Sequence, residues 1–112
     1  MDIICSKQGK ALVMTLKGRM DRIAALEFDK VFAEWREKGE MLFVVDMQDL
    51  GYISSAGLRS LLAANQQLKD NNGQIRLCNL GGLVKEVFVI SGFDSLFPLY
   101  ASPAEATKFN QK

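Results

Sequence analysis

The chain opens with an alternation of period two and then changes rhythm. Ile3, Ile4 and Cys5 read as a short strand, Gly9 as a turn, and residues 11–17 as a second strand ended by Gly18. In that second strand Leu12, Met14 and Leu16 share one face, with Val13 and Thr15 on the other. From Asp21 the spacing becomes helical. Asp21 is placed to cap a helix over about 22–38. At about 100° per residue, Ala24, Phe28, Val31, Phe32 and Trp35 fall on one side, and Leu26 points the other way. An outward leucine is ordinary on a surface, or it belongs to a partner-facing patch. Gly39 closes this helix.

Residues 41–47, MLFVVDM, are nearly all apolar, as expected of a central strand covered on both faces. QDLGYIS then reads as a loop, followed by a helix over about 55–71 with Leu58, Leu61, Leu62, Asn65 and Leu68 inward and Gly73 as its stop. Residues 74–80 form another strand. GGLVKEVFVISG gives a short helix whose expected inner stripe is Leu83, Val84, Val87 and Ile90, stopped by Gly92. Val89 faces away from that stripe; core packing is the expectation, and an apolar patch the alternative. LFPLY, 96–100, reads as a last strand held to an edge by Pro98. SPAE, 102–105, is a capping box with proline at the first helical position, opening a helix to about Phe109. The order ββαβαβαβα implies an α/β domain with a mostly parallel central sheet, an N-terminal hairpin and about four helices.

Composition narrows what such a domain does. The 112 residues fit one domain, 1–112, with no internal repeat or linker. A net charge of +1 leaves no electrostatic footprint for nucleic acid. The N-terminus lacks a signal-peptide pattern, and no run approaches the ~18 apolar residues of a membrane span. The expected location is cytoplasmic, with Cys5 and Cys78 as reduced thiols. There is no histidine, so Ser-His-Asp and Cys-His nucleophile systems cannot be built, and two lone cysteines do not suggest zinc. Neither a cofactor nor a metal is expected, and no catalysis of the chain's own.

The stretch YISSAGLRSLL, 52–62, places hydroxyls where a strand gives way to a helix. Ser54 or Ser55 can serve as an N-cap and nothing more. Gly57 would allow close approach to the backbone. A nucleophile elbow needs glycine two residues before the serine, and Ile53 stands there. A phosphate-binding loop is absent, since GGLVK at 81–85 lacks the spacing. That leaves a small-ligand or nucleotide-binding module with little support. A receiver domain would need an acidic pair after the first strand, where the sequence is CSKQGK.

VVDMQDLGYISSAGLRSLL closely resembles the signature of the STAS family, the domain of bacterial anti-sigma factor antagonists. The pattern is a strand ending in Asp, a loop, an aromatic residue, and Ser-x-Gly-Leu opening a helix. GRMD resembles the family's glycine and aspartate before the first helix, and VKEVFVISGFDSLFPLYASPAEA its helix–strand–helix ending. The resemblance spans essentially the whole chain and implies a STAS-type fold. It further implies a switch. In sporulation and stress-response members, a serine at this helix start is phosphorylated by a partner that is both anti-sigma factor and serine kinase. The unphosphorylated antagonist binds that partner and frees the sigma factor; phosphorylation ends the binding, and a phosphatase restores it. Aligned on Gly57, the phosphorylated serine falls on Ser55, the aspartate before the helix on Asp21 and the one ending the central strand on Asp46. The partner surface expected from this comprises Asp21, Asp46, Ser54, Ser55, Gly57 and Arg59. The chain departs from the family's usual Asp-Ser-Ser/Thr-Gly by having Ser54 where the acid stands and Ala56 where a hydroxyl stands. Ser54 is thereby a competing hydroxyl. Other STAS domains lack a switch and act as constitutive adaptors in transport or signalling complexes, which is the alternative role. Oligomeric state is open.

Elementary electrostatics suits a switch at this position. A phosphate carries about −2 charge, and a helix N-terminus offers roughly +0.5. If Asp21 and Asp46 lie near, at ~8 Å and an effective dielectric of ~20 each would oppose the phosphate by about 4 kcal/mol before screening. Solvent exposure and salt reduce that sharply. Arg59, on the same helix, can pair with a partner carboxylate, or simply face water.

Overall fold

A computed structural model describes residues 1–109. β1 (Asp2–Gln8) and β2 (Ala11–Met20) form an antiparallel hairpin through a two-residue turn at Gly9 and Lys10. Helix α1 (Arg22–Glu37) leads to β3 (Leu42–Ile53), and α2 (Ser55–Asp70) leads to β4 (Gln74–Cys78). Helix α3 (Gly82–Ser91), a single 3₁₀ turn, β5 (Leu99–Tyr100) and α4 (Pro103–Ala106) complete the order. The sheet order is β1-β2-β3-β4-β5, parallel except for the hairpin. Strand β5 lies on the edge, where Pro98 costs no ladder bond.

The two faces of the sheet are unequal. On one, Leu12, Met14 and Leu16 of β2 pack with Phe28, Phe32, Leu61, Leu68 and Phe88 from α1, α2 and α3. On the other, Ala11, Val13, Val44 and Cys78 are covered with Ala106 of the short α4. The serine half of the capping box forms: Ser102 Oγ accepts from the Glu105 N–H. Helix α4 ends at Ala106, however, short of the expected Phe109.

The central ribbon differs from the sequence reading. Strand β2 does not stop at Gly18 but runs through it to Met20, and β3 continues through the expected loop to Ile53. Two irregularities make this possible. Asp46 to Asp49 on β3 spans the same stretch as Thr15 to Lys17 on β2, and Leu50 to Tyr52 spans Gly18 to Arg19. Extra residues in one strand break its alternation, so QDLGY looks like a loop while pairing as a bulged strand. Strand β4 leaves β3 at the Asp46–Cys78 pair, whereas β2 and β3 stay together to the Met20–Ile53 pair. The ribbon therefore projects beyond the sheet, and both α1 and α2 start at its tip.

Helix α1 buries Ala24, Phe28 and Phe32 as expected, with Val31 and Trp35 half-buried. Helix α2 buries Leu58, Leu61, Asn65 and Leu68; Leu62 is only partly covered, and Ala64 takes the inward place instead. Gly73 follows α2 because a β-carbon there would stand 2.6 Å from the Met41 carbonyl. Helix α3 is rotated from the expected stripe. Val84 and Phe88 are buried and Val87 half-buried, while Leu83 and Ile90 face outward. Val89 is 54% exposed, so it is patch and not core.

Candidate partner-docking site at the start of the second helix

The two serines at the ribbon tip have different surroundings. Ser54 has extended backbone and caps α2: its Oγ accepts from the Gly57 N–H at 3.1 Å. The same hydroxyl donates to the Met20 carbonyl at 2.9 Å, and the Ser54 N–H reaches that carbonyl too, also at 2.9 Å. Ser54 is thus a clasp between the end of β2 and the start of α2. An aspartate could cap here as well, but its carboxylate could not donate to Met20. A serine in place of the family's acid therefore has a structural role of its own, with its hydroxyl both donating and accepting.

Ser55 is the first helical residue and is exposed. Its side chain makes no hydrogen bond to another described residue. Gly57 is buried, and a β-carbon would lie 2.8 Å from Ile53 Cγ1 and 3.0 Å from Met20 Cγ. The close approach that this glycine permits is internal: it seats the first turn of α2 on the ribbon.

Asp21 caps α1, its Oδ1 accepting from the Ala24 N–H at 2.9 Å. It follows Met20, so it stands at the same tip as Ser54. Asp46 does not. It is almost fully buried where β4 ends, accepting from the Gln48 N–H at 3.1 Å and from Asn79 Nδ2 at 2.9 Å. Thr15 faces Asp46 and Met20 faces Ile53, which puts the tip about 16 Å farther along at ~3.3 Å per residue. At that separation, beyond a Debye length of ~8–10 Å, Asp46 has little say over a charge on Ser55. Its position makes it the pin that joins the middle of β3 to the end of β4.

Arg59 is exposed on α2, one turn after Ser55. It lines a shallow groove of about 380 Å³ between α1 and α2, with Arg22 and Leu26 on the facing helix and Ala56 beside it. The helices approach closely enough for Ser60 Oγ to donate to the Ala25 carbonyl at 3.4 Å. Leu26 is 66% exposed and Ile23 75%. The outward leucine noted in the sequence thus borders the tip. Arg22 and Ile23 carry no sequence signal beyond lying off the buried stripe. Asn79 was equally unmarked; only its place after a strand points to it, and its φ of 61° marks the sharp exit from β4. Tyr52 is half-buried, with the Arg19 guanidinium 4.3 Å above its ring, and Ile53 is core.

The described residues contain no group of three or more acidic, cysteine or histidine side chains able to hold a metal ion. No helix among them is long and apolar enough to cross a membrane. What the tip presents is one exposed hydroxyl, that of Ser55, beside the groove lined by Arg59.

Comparison with known proteins places this geometry in a family. The STAS domain profile matches residues 2–106, and the chain belongs to the STAS family. A protein of Bordetella bronchiseptica that carries the provisional name anti-sigma factor antagonist BtrV is 39% identical over 99 residues, covering 88% of this chain and 85% of that one. A STAS-domain containing protein of Pseudomonas aeruginosa is 30% identical over 94 residues, covering 84% of this chain and 92% of its own length. Among solved structures, one from Thermotoga maritima with a provisional anti-sigma factor antagonist name superposes with a TM-score of 0.88 at 19% identity, covering 95% and 92% of the two chains. Unphosphorylated SpoIIAA, an anti-sigma factor antagonist, gives 0.73 at 16% identity over 93% and 92%. At those identities the structures establish the shared fold.

Proposed function

We propose that this chain is an anti-sigma factor antagonist whose docking to an anti-sigma factor with serine kinase activity is ended by phosphorylation of Ser55. The observation that carries the reading is the contrast at the ribbon tip: Ser54 is bonded on both sides of its hydroxyl, and Ser55 is exposed and unbonded. A kinase could reach Ser55 Oγ without dismantling a cap. The γ-phosphoryl of ATP would pass to that oxygen as its O–H proton leaves, with ADP released. A phosphatase would return the hydroxyl by hydrolysis. The Bordetella relative's name agrees with the antagonist role.

Phosphate on the first helical residue would meet the partial positive charge of the helix start, a local gain of about 1 kcal/mol. Asp21 at the tip would oppose it, but as an exposed group in salt it does so weakly. The fold should therefore persist. SpoIIAA in its phosphorylated form superposes on this chain with the same TM-score, 0.73, as its unphosphorylated form. Docking is another matter. A partner covering Ser55 must desolvate a dianion, and a loss of only ~3–4 kcal/mol weakens affinity by hundreds-fold.

The test is incubation of the chain with ATP and the anti-sigma factor of the same organism, followed by intact-mass and peptide mapping. One added phosphate on Ser55 is expected. A phosphate placed on Ser54 or elsewhere, or a kinase-active partner that binds the chain and leaves it unmodified, would defeat the reading.

A further inference from the structure

Resting on the assignment of Ser55 as the phosphorylated residue, we propose that Arg59 is a toggle: it faces the docking partner while Ser55 is a free hydroxyl and is captured by the phosphate once Ser55 is modified. Residues four apart on a helix are neighbours, and an anion four positions before a cation is the favoured orientation. Ser55 and Arg59 have this relation on α2. Arg59 is also uncommitted. It is exposed, makes no hydrogen bond to a described residue, and takes no part in the one ion pair among them, Lys7 with Glu40. The planar guanidinium can meet two phosphate oxygens at once, which a flexible ammonium does less well.

The charged groups facing this position are few. Across the groove α1 supplies Arg22, a second cation, and Asp29, the single carboxylate lining the groove. Asp29 does not form an ion pair with Arg59. Asp21 stands at the tip with one carboxylate oxygen already accepting from the backbone. A phosphate at Ser55 would be the strongest anion within Arg59's reach.

Modification then alters the docking face twice. It adds a dianion, and it withdraws a cation from the rim of a groove walled by Ala56 and Leu26. A partner that offers a carboxylate to Arg59 loses that pair at the same moment it meets the phosphate. Arg59 is in this sense a positioning residue for the switch.

The experiment uses the full chain with phosphoserine incorporated at position 55 during translation, so it runs whether or not any kinase modifies Ser55. The second ionisation of the phosphate is followed by ³¹P NMR against pH. In the wild type it should lie about half a unit below that of an unstructured phosphoserine peptide. Arg59→Gln should raise it by about 0.2–0.4 unit and leave the part due to the helix start, Arg59→Lys should restore part of that step, and all three should stay folded and unfold within a few degrees of one another. The proposal fails if wild type and Arg59→Gln titrate together, or if Arg22→Gln moves the phosphate as far as Arg59→Gln does.

Discussion

The second and third helices both follow parallel strands of the same sheet, and they are held in contrasting ways. Helix α2 has a side-chain cap in Ser54, a bond from that cap to Met20, a close-packed glycine in its first turn, and seven buried residues. Helix α3 starts at Gly81 without a side-chain cap and buries only Val84 and Phe88. Ile90 is 86% exposed, in contrast to the buried inner face of α2. The difference bears on the phosphorylation proposed for Ser55. A charge added to a helix with many anchors changes the surface and leaves the helix in place. The same charge on α3 would act on an element with little to hold it.

Substitutions that strip one anchor from either helix would sharpen this contrast. The largest effect belongs to α3. Phe88→Ala should cost about 3–5 kcal/mol in chemical denaturation, because a fully buried ring is lost and little else anchors the helix. A loss under 1 kcal/mol would mean that α3 is held by contacts other than Phe88. Next comes Gly57→Ala, which drives a methyl into Ile53 and Met20 and should cost about 1–3 kcal/mol. Equal stability to wild type would show that the α2 start is not tightly seated.

Cys78, at the end of the strand that feeds α3, adds a pH test. Burial, and then the Asp46 charge, push its thiol from 9.0 up to about 12. Above pH 9 the unfolded chain loses the thiol proton first, so the unfolded state binds fewer protons and stability falls as pH rises toward 12. The loss should reach about 1.4 kcal/mol near pH 10 relative to a Cys78→Ala chain. Parallel pH profiles for the two chains would contradict the burial argument. Ser54→Ala removes the cap and should cost about 1 kcal/mol. The smallest effects are expected at exposed positions. Ser55→Ala and Ile90→Gln should each stay within about 0.5 kcal/mol of wild type by thermal denaturation.

What the sequence made legible follows the same contrast. In α1 and α2 apolar residues occupy one stripe and polar residues the rest, so periodicity identifies the buried side. In α3 Leu83, Val84, Val87, Phe88, Val89 and Ile90 are apolar around most of the helix. Spacing then carries no phase, and the inner face is settled by packing against β3 and Phe97. The long ribbon was hidden for another reason: bulges interrupt alternation, so Gly18 and QDLGY look like ends when they are irregularities within paired strands. At the tip, Asp21 as a cap and Ser55 at a helix start were readable from local chemistry. The division of labour between the serines was not, since it depends on the Met20 carbonyl, 34 positions before Ser54 in the chain. Asp46 was expected to end its strand; it lies in the middle of β3, and its distance from the tip depends on how far β3 runs on.

On the proposed function, one phosphate at Ser55 ends docking and spares the fold. The most direct measurement is the affinity of the anti-sigma factor for this chain with serine and with phosphoserine at position 55, paired with the unfolding temperature of each. Binding at least about a hundredfold weaker is expected for the phosphorylated chain, with both chains folded and unfolding within a few degrees of each other. Affinities within twofold of one another, or a phosphorylated chain that no longer folds, would contradict the proposed function.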